Sequence, residues 1–481
     1  KNGTAIVSYQ YNNANQLISK TFANGVTTNM QYDFANRLTN ISTGAFQNIS
    51  FTYDANGNKT TVTRNNANKS EQFTYDNGNR LTAYRQGPAG GPFVINNSYT
   101  YDALGNRTTL VSNGITTNYT VNNLNQMLNS NNGVQNINYT YDANGNLSYD
   151  GKFYKTYDAE KRLLKDSASP AAVLTYVYDA MGRRVTKNLN GNALNYTYAG
   201  LEQIEERNAG GVLLNRTIFN HFLEPVVNEK GNLPFYYHAN DLMSVEFLTN
   251  AAGTLAEQYE YDVYGKQTIY DGAGNPITGS STGNRFGFTG QVYDSATASN
   301  KFFFREYNPA TGLFNQRDLI GYADGMGLYQ YVHNNPANGV DVWGLEEDPC
   351  KHDKDKIKLV TGRMAFLEVK IATKGGVDGK NAVDFGYDGR NFVTGYISSM
   401  TGVLNWSLGT SWINYGRQAD SRFYSDYYNS DVGNNNFFFM GKSMKSWEVN
   451  YYFTNSALRN AGFSETSSGA YTNNWNTGKA V

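Results

Sequence analysis

Histidine and cysteine are sparse in this sequence, at 4 and 1 residues, and offer no ready constellation. His238 has no second histidine at a usable spacing, so it reads as a polar wall residue rather than a ligand or base. Cys350 is the single cysteine, which excludes an internal disulfide, and no convincing partner would make it a nucleophile. Phe366-Leu367-Glu368-Val369-Lys370-Ile371 is an apolar strand carrying Glu-x-Lys, half the signature of metal-dependent nucleases. The acid it needs upstream would be Asp353 or Asp355, which lie in a charged run with His352, and alternating exposed charges explain the same letters. No metal and no cofactor is expected. One further stretch, FREYNPATGLFNQRDLIGYADGMGLYQYVHNNPANGVDVWGL, from Phe304 to Leu345, contains several carboxylates as well as arginines. Two carboxylates held close cannot easily both ionise, so one of them keeps a proton near neutral pH. Such a pair can activate a water and protonate a leaving amine, and a guanidinium beside it can stabilise developing negative charge.

Those residues need elements to position them, and the sequence before them is built from one repeated unit. A Tyr-Asp slot recurs at Tyr11-Asn12, Tyr32-Asp33, Tyr53-Asp54, Tyr75-Asp76, Tyr101-Asp102, Val121-Asn122, Tyr141-Asp142, Tyr157-Asp158, Tyr178-Asp179 and Tyr198-Ala199. Turn residues follow most slots, as in Ala55-Asn56-Gly57-Asn58, and then a short alternating strand, which is a hairpin signal. In Phe51-Thr52-Tyr53-Asp54 the two aromatics share one strand face, and Asp54 can accept backbone N–H groups of its own turn. One such unit cannot bury its aromatic face alone, so neighbours must stack. These tyrosines and aspartates are therefore read as structural, ahead of a glycan-binding alternative. Composition agrees: 38 Tyr and 48 Gly, with only 17% charged residues, suit many short strands and tight turns. The balance of 40 Lys+Arg against 41 Asp+Glu gives no basic field for nucleic acid. No apolar run approaches the ~20 residues of a membrane span. The chain opens inside a repeat, so it is expected to be a fragment of a longer protein.

The repeats resemble YD repeats. Segments such as Tyr259-Glu260-Tyr261-Asp262-Val263-Tyr264-Gly265, and then the stretch through Leu345, are similar to the signature that ends Rhs/YD-repeat proteins, roughly RYYDP-G-RF…DPIG…NLY-Y-NNP…DP-GL. The resemblance implies an all-β fold: a spiralling β-hairpin YD-repeat shell, closed by an Rhs core-associated segment, with a small β-rich C-terminal domain. It divides the chain into repeats at 1–270, core segment at 271–345 and variable cargo at 346–481. In relatives that cut themselves the core segment forms an aspartic-protease-like site. Carried over by position, Asp318 is a catalytic carboxylate, Asp341 the acid near the scissile bond and Arg305 their basic partner, with the cut between Leu345 and Glu346. Leu319, Val342 and Asn308 depart from the pattern, the first two by replacing prolines that would fix φ.

The family implies a bacterial polymorphic toxin, secreted or at the cell surface, whose C-terminal domain is its own cargo. An immunity protein and secretion-system components are then the expected partners, and nucleic acid only if the tail is a nuclease. A wall-associated adhesion protein, in which the repeats themselves act, is the rival reading. A shell that closes without cutting is the third. The tail is expected to be mostly β, with strands near 391–397 and 446–453 and a helical turn near 456–461.

Overall fold

The computed structural model describes residues 5–345, apart from 171 and 222, and the short strands Asp348–Pro349, Asn436–Phe439 and Lys442–Lys445. Two compact units divide the chain, Lys1–Lys351 and His352–Val481. In the second, Asn436–Phe439 pairs antiparallel with Lys442–Lys445. Glu346, Cys350, His352, Asp353, Asp355, Glu368 and Lys370 lie outside the described residues, as do the tail segments at 391–397, 446–453 and 456–461.

The first unit is a strip of hairpins. Thirteen strands, from Val7–Tyr11 to Asn136–Asn138, form one sheet, and fifteen, from Thr140–Tyr141 to Pro276–Ile277, form the next. Every strand pairs only with its neighbours in sequence, so no crossover is needed. Among the described residues no helix is long and apolar enough to cross a membrane.

The Tyr-Asp slot builds each hairpin end. Asp33 Oδ1 accepts the N–H groups of Ala35 and Arg37, each at 2.9 Å, and the same pair of bonds recurs at Asp102, Asp142, Asp158 and Asp179. The third residue after the aspartate has positive φ, as in Asn36 (66°) and Gly57 (89°), which is why Asn and Gly dominate there. At each slot the pairing slips by one residue: Gln31 faces Asn40 while Tyr32 faces Leu38. The slip takes the first carbonyl of the outgoing strand out of the ladder. The tyrosine of the next repeat reaches back to it, as in Tyr53 to Leu38 O (2.5 Å), Tyr75 to Lys59 O (2.8 Å), Tyr157 to Leu147 O (2.9 Å) and Tyr178 to Leu163 O (2.8 Å). Burial pushes the Tyr75 and Tyr157 phenols up, so both keep the proton they donate.

The strip curls until its beginning faces its later strands. Lys20 pairs with Glu224 at 2.6 Å, Asn24 bonds Thr249 at 2.9 Å, and Gln47 and Arg64 meet Glu246 at 2.7 and 2.5 Å. Residues 284–345 then lie across both sheets. A small four-stranded sheet, Val292–Asp294 to Leu313–Phe314, carries a buried cluster of Phe288, Phe302, Tyr307, Phe314, Tyr331 and Val332. Polar ties fasten this segment to the repeats: Tyr329 Oη to Gly145 O (2.7 Å), Asn334 Nδ2 to Gly105 O (2.8 Å), and Arg184 to Glu306 (2.7 Å).

His238 is part of this wall. It is buried, stacks on Phe247 at 4.4 Å, meets Phe22 edge-on, and places Nε2 2.9 Å from Thr249 Oγ1. Burial, aided by Lys20, pushes its pKa down to about 3.

Two outcomes are expected. Tyr157→Phe should lower the unfolding free energy by about 1 kcal/mol, read as a lower denaturant midpoint at unchanged slope; an unmoved midpoint would show that the Leu147 carbonyl needs no hydroxyl. For His238, the ring is neutral in both states above its ordinary value of about 6.5. Below that, the unfolded ring takes a proton that the folded ring refuses until about 3, so stability is lost as pH falls through that window. The loss should be on the order of 2 kcal/mol by pH 5. Melting temperatures at pH 7 and pH 5 should diverge less in His238→Phe than in the parent, and equal divergence would overturn this assignment.

Candidate functional site

Arg305 leads into the strand Glu306–Asn308, and the buried aromatic cluster fixes its side chain. The guanidinium carbon sits 3.7 Å from the centre of the Phe314 ring, and the residue is 2% exposed. A cation so deeply buried must be matched by anions or acceptors. Three meet it. Nη1 lies 3.0 Å from Asp318 Oδ2, off the N–H axis and so an ion pair rather than an aligned hydrogen bond. Nη2 donates to Asp341 Oδ2 at 3.2 Å, and Nε donates to the Gly344 carbonyl at 2.5 Å.

The two aspartates are held differently. Asp318 follows the strand Leu313–Phe314; its own N–H bonds Leu328 O and its Oδ1 accepts the Ile320 N–H, both at 2.9 Å. Asp341 follows the two-residue strand Gly339–Val340, which pairs with Asp348–Pro349 on the far side of the expected cut. Its Oδ1 accepts three successive N–H groups, from Trp343 (3.2 Å), Gly344 (2.7 Å) and Leu345 (3.1 Å). Burial raises the Asp341 carboxyl to about 7, and Asp318 adds to the rise, while Arg305 and the Leu345 and Gly344 N–H groups oppose it. One acid of the pair is thus poised to exchange a proton near neutral pH.

The residues before the expected cut are tightly fixed. Gly344 has φ +76°, and a Cβ there would meet Phe302 Cβ at 2.9 Å, so only glycine fits. Trp343 O accepts the Phe304 N–H at 3.0 Å, and Leu345 is buried. The structure therefore brings Arg305, Asp318, Asp341 and Leu345 together, and Glu346 lies outside the described residues. Leu319 stands 40% exposed beside Asp318. His238 makes its contacts with Thr249, Phe247 and Phe22, away from this cluster. Two participants have no signal in residue type or spacing. Phe314 is the face under the guanidinium, and Gln291 donates from Nε2 to the Val342 carbonyl at 3.0 Å. Among the described residues no group of three or more His, Cys, Asp or Glu side chains could hold a metal ion.

The family model described as Teneurin YD-shell matches residues 59–337. The tRNA3(Ser)-specific nuclease WapA of Bacillus spizizenii is 30% identical over 239 residues, which is 48% of this chain and 10% of that protein. The double-stranded DNA deaminase toxin A of Burkholderia cenocepacia is 25% identical over 246 residues, 44% of this chain and 17% of that protein. The toxin subunit YenC1 of Yersinia entomophaga is 26% identical over 194 residues, 36% of this chain and 19% of that protein. Among solved structures, TcdB2-TccC3-Cdc42 is similar in fold, with a TM-score of 0.57 and 20% identity over 71% of this chain and 19% of that one. The chain spans under a fifth of the length of each of these relatives.

The carboxyl at Asp341 carries a stability signature. Its folded value of about 7 lies above the ordinary carboxylate range, so folding takes up a proton between roughly pH 4 and 7. The stabilisation is complete below that window and is lost as pH rises through 7. Asp341→Asn should abolish this slope, changing the parent-minus-variant difference by up to about 4 kcal/mol between pH 4 and pH 8. Denaturation curves that keep a constant difference over that range would show that Asp341 titrates normally.

Proposed function

The chain belongs to the Teneurin YD-shell family, and we propose that it is the closing part of a bacterial polymorphic-toxin shell that cuts itself between Leu345 and Glu346. In this reading residues 1–270 are shell wall, 271–345 the closing core with its protease site, and 346–481 a cargo freed by the cut. The observation that carries it is Arg305, which gathers Asp318 and Asp341 and also holds the Gly344 carbonyl one residue before the bond.

The chemistry follows from that grouping. Whichever carboxylate is ionised takes a proton from water, whose oxygen attacks the Leu345 carbonyl carbon. Arg305 lies where it can offset the negative charge that develops, in a site with little water to screen it. The protonated carboxyl gives its proton to the departing Glu346 nitrogen as the C–N bond breaks, leaving a carboxylic acid at Leu345 and an amine at Glu346. Because substrate and site share one chain, no binding step is needed and a single turnover suffices.

Relatives named as a nuclease, a deaminase toxin and a toxin subunit support reading the tail as a toxic cargo. In that reading the cargo is delivered outside the producing cell, and an immunity protein and secretion-system components are its partners. The target of this tail, nucleic acid or otherwise, is its own question. One observation favours the alternative of a closed plug that never cuts: Asp341 Oδ1 already accepts three N–H groups and so caps its turn.

Intact mass of the purified chain, beside Asp318→Asn, decides between them. A fragment beginning at Glu346 in the parent and only full-length chain in the variant is the expected result. Full-length chain in both would leave the plug.

A further inference from the structure

We propose that Gln291 is a positioning residue for the expected cut, fixing the peptide at Val342 that leads from Asp341 to the scissile bond; this rests on the self-cleavage reading above. Of the groups that hold the carbonyls of residues 342–344, two come from one short stretch: Phe304 N–H holds Trp343 O, and Arg305 Nε holds Gly344 O. Gln291 supplies the third from a different element, donating from Nε2 to Val342 O at 3.0 Å.

That element is itself pinned to the wall. Gln291 ends the 3-10 turn Phe288–Gly290, and its carbonyl accepts the Gly287 N–H at 2.9 Å. The Thr289 N–H bonds Ser244 Oγ at 2.9 Å, and the Gly287 carbonyl accepts the Val245 N–H from the strand Val245–Thr249 at 3.1 Å. Gln291 is 3% exposed, so its amide has no free water to trade for this bond. The Gln291 amide therefore references the cut loop to the second sheet, while the other ties reference it to the core segment.

The location of the tie matters. Val340 pairs with Asp348, so described strand pairing stands on both sides of the expected cut, and Val342 is where the chain leaves Asp341. Holding the Val342 carbonyl fixes ψ at this residue. Proline at the same position would fix φ instead and narrow the same local freedom. The Val342 N–H has no acceptor among the described residues, so a proline there would remove no bond seen in the structure. In this chain the glutamine does from outside what a ring could do from within.

Two readouts test this. In an Asp318→Asn background the chain stays full length whether or not the parent cuts. There, Gln291→Leu should raise amide hydrogen exchange at Trp343 to Leu345 by about tenfold, and adding Val342→Pro should restore it. In the cutting parent, Gln291→Leu should slow cleavage on the order of ten- to a hundredfold, with the same proline restoring the rate. A general packing role would loosen residues 284–345 throughout and would not answer to Val342→Pro. Unchanged exchange in Gln291→Leu, or a loss that proline does not restore, would overturn the proposal. Exchange that responds as expected in a parent that never cuts would leave the Gln291 tie standing and remove the protease reading alone.

Discussion

In most repeats the slot tyrosine completes its hydrogen bonding in the repeat before it, as at Tyr32, Tyr53, Tyr75, Tyr101, Tyr157, Tyr178 and Tyr198, while Val121 has no hydroxyl to do so. The one-residue slip at every Tyr-Asp slot leaves a strand carbonyl outside the ladder, and an unpaired carbonyl on a half-buried face is costly. The next tyrosine closes that gap while stacking its ring on the same face. Wherever the slot holds a bonded tyrosine, register is therefore handed from one repeat to the next by a one-way hydrogen bond. Without it, short hairpins of Asn, Thr and Gly would have little to keep them from sliding.

A strip with one aromatic face must still cover that face, and this protein does so twice over. The strip curls back on itself through pairs such as Lys20–Glu224 and Arg64–Glu246, and residues 284–345 fill what remains. The covering left its mark on the turns. Four residues after the slot aspartate stands an arginine in open repeats, as at Arg37, Arg80, Arg162 and Arg183, where it pairs with that aspartate. Where the closing segment passes, the position is Asn58, Asn106 or Asn146, all buried. An amide fits beneath a covering segment, and a solvated guanidinium does not.

The same logic produces the candidate site. Closing the shell buries Arg305 against Phe314, and a buried guanidinium demands acceptors from whatever chain is near. It finds Asp318, Asp341 and the Gly344 carbonyl, which ties the strand that begins at Glu306 to residues 341–344. Cohesion of the plug and proximity of the carboxylates are one interaction. A site assembled this way exists only once the shell has formed.

The sequence by itself determined the repeat and its hairpins, because a Tyr-Asp slot, an Asn or Gly with positive φ and an alternating strand are local requirements met within one unit. It also marked Arg305, Asp318 and Asp341, through likeness to a family signature. Residue type could not show that one guanidinium joins both aspartates, nor that burial lifts Asp341 to about 7, since desolvation depends on what covers a side chain. The partners of the tyrosine hydroxyls, the ring beneath Arg305 and the hold of Gln291 on Val342 were decided only by tertiary structure. Each joins residues from different repeats or different elements, and no period in the sequence encodes a contact that forms only when the strip curls and closes.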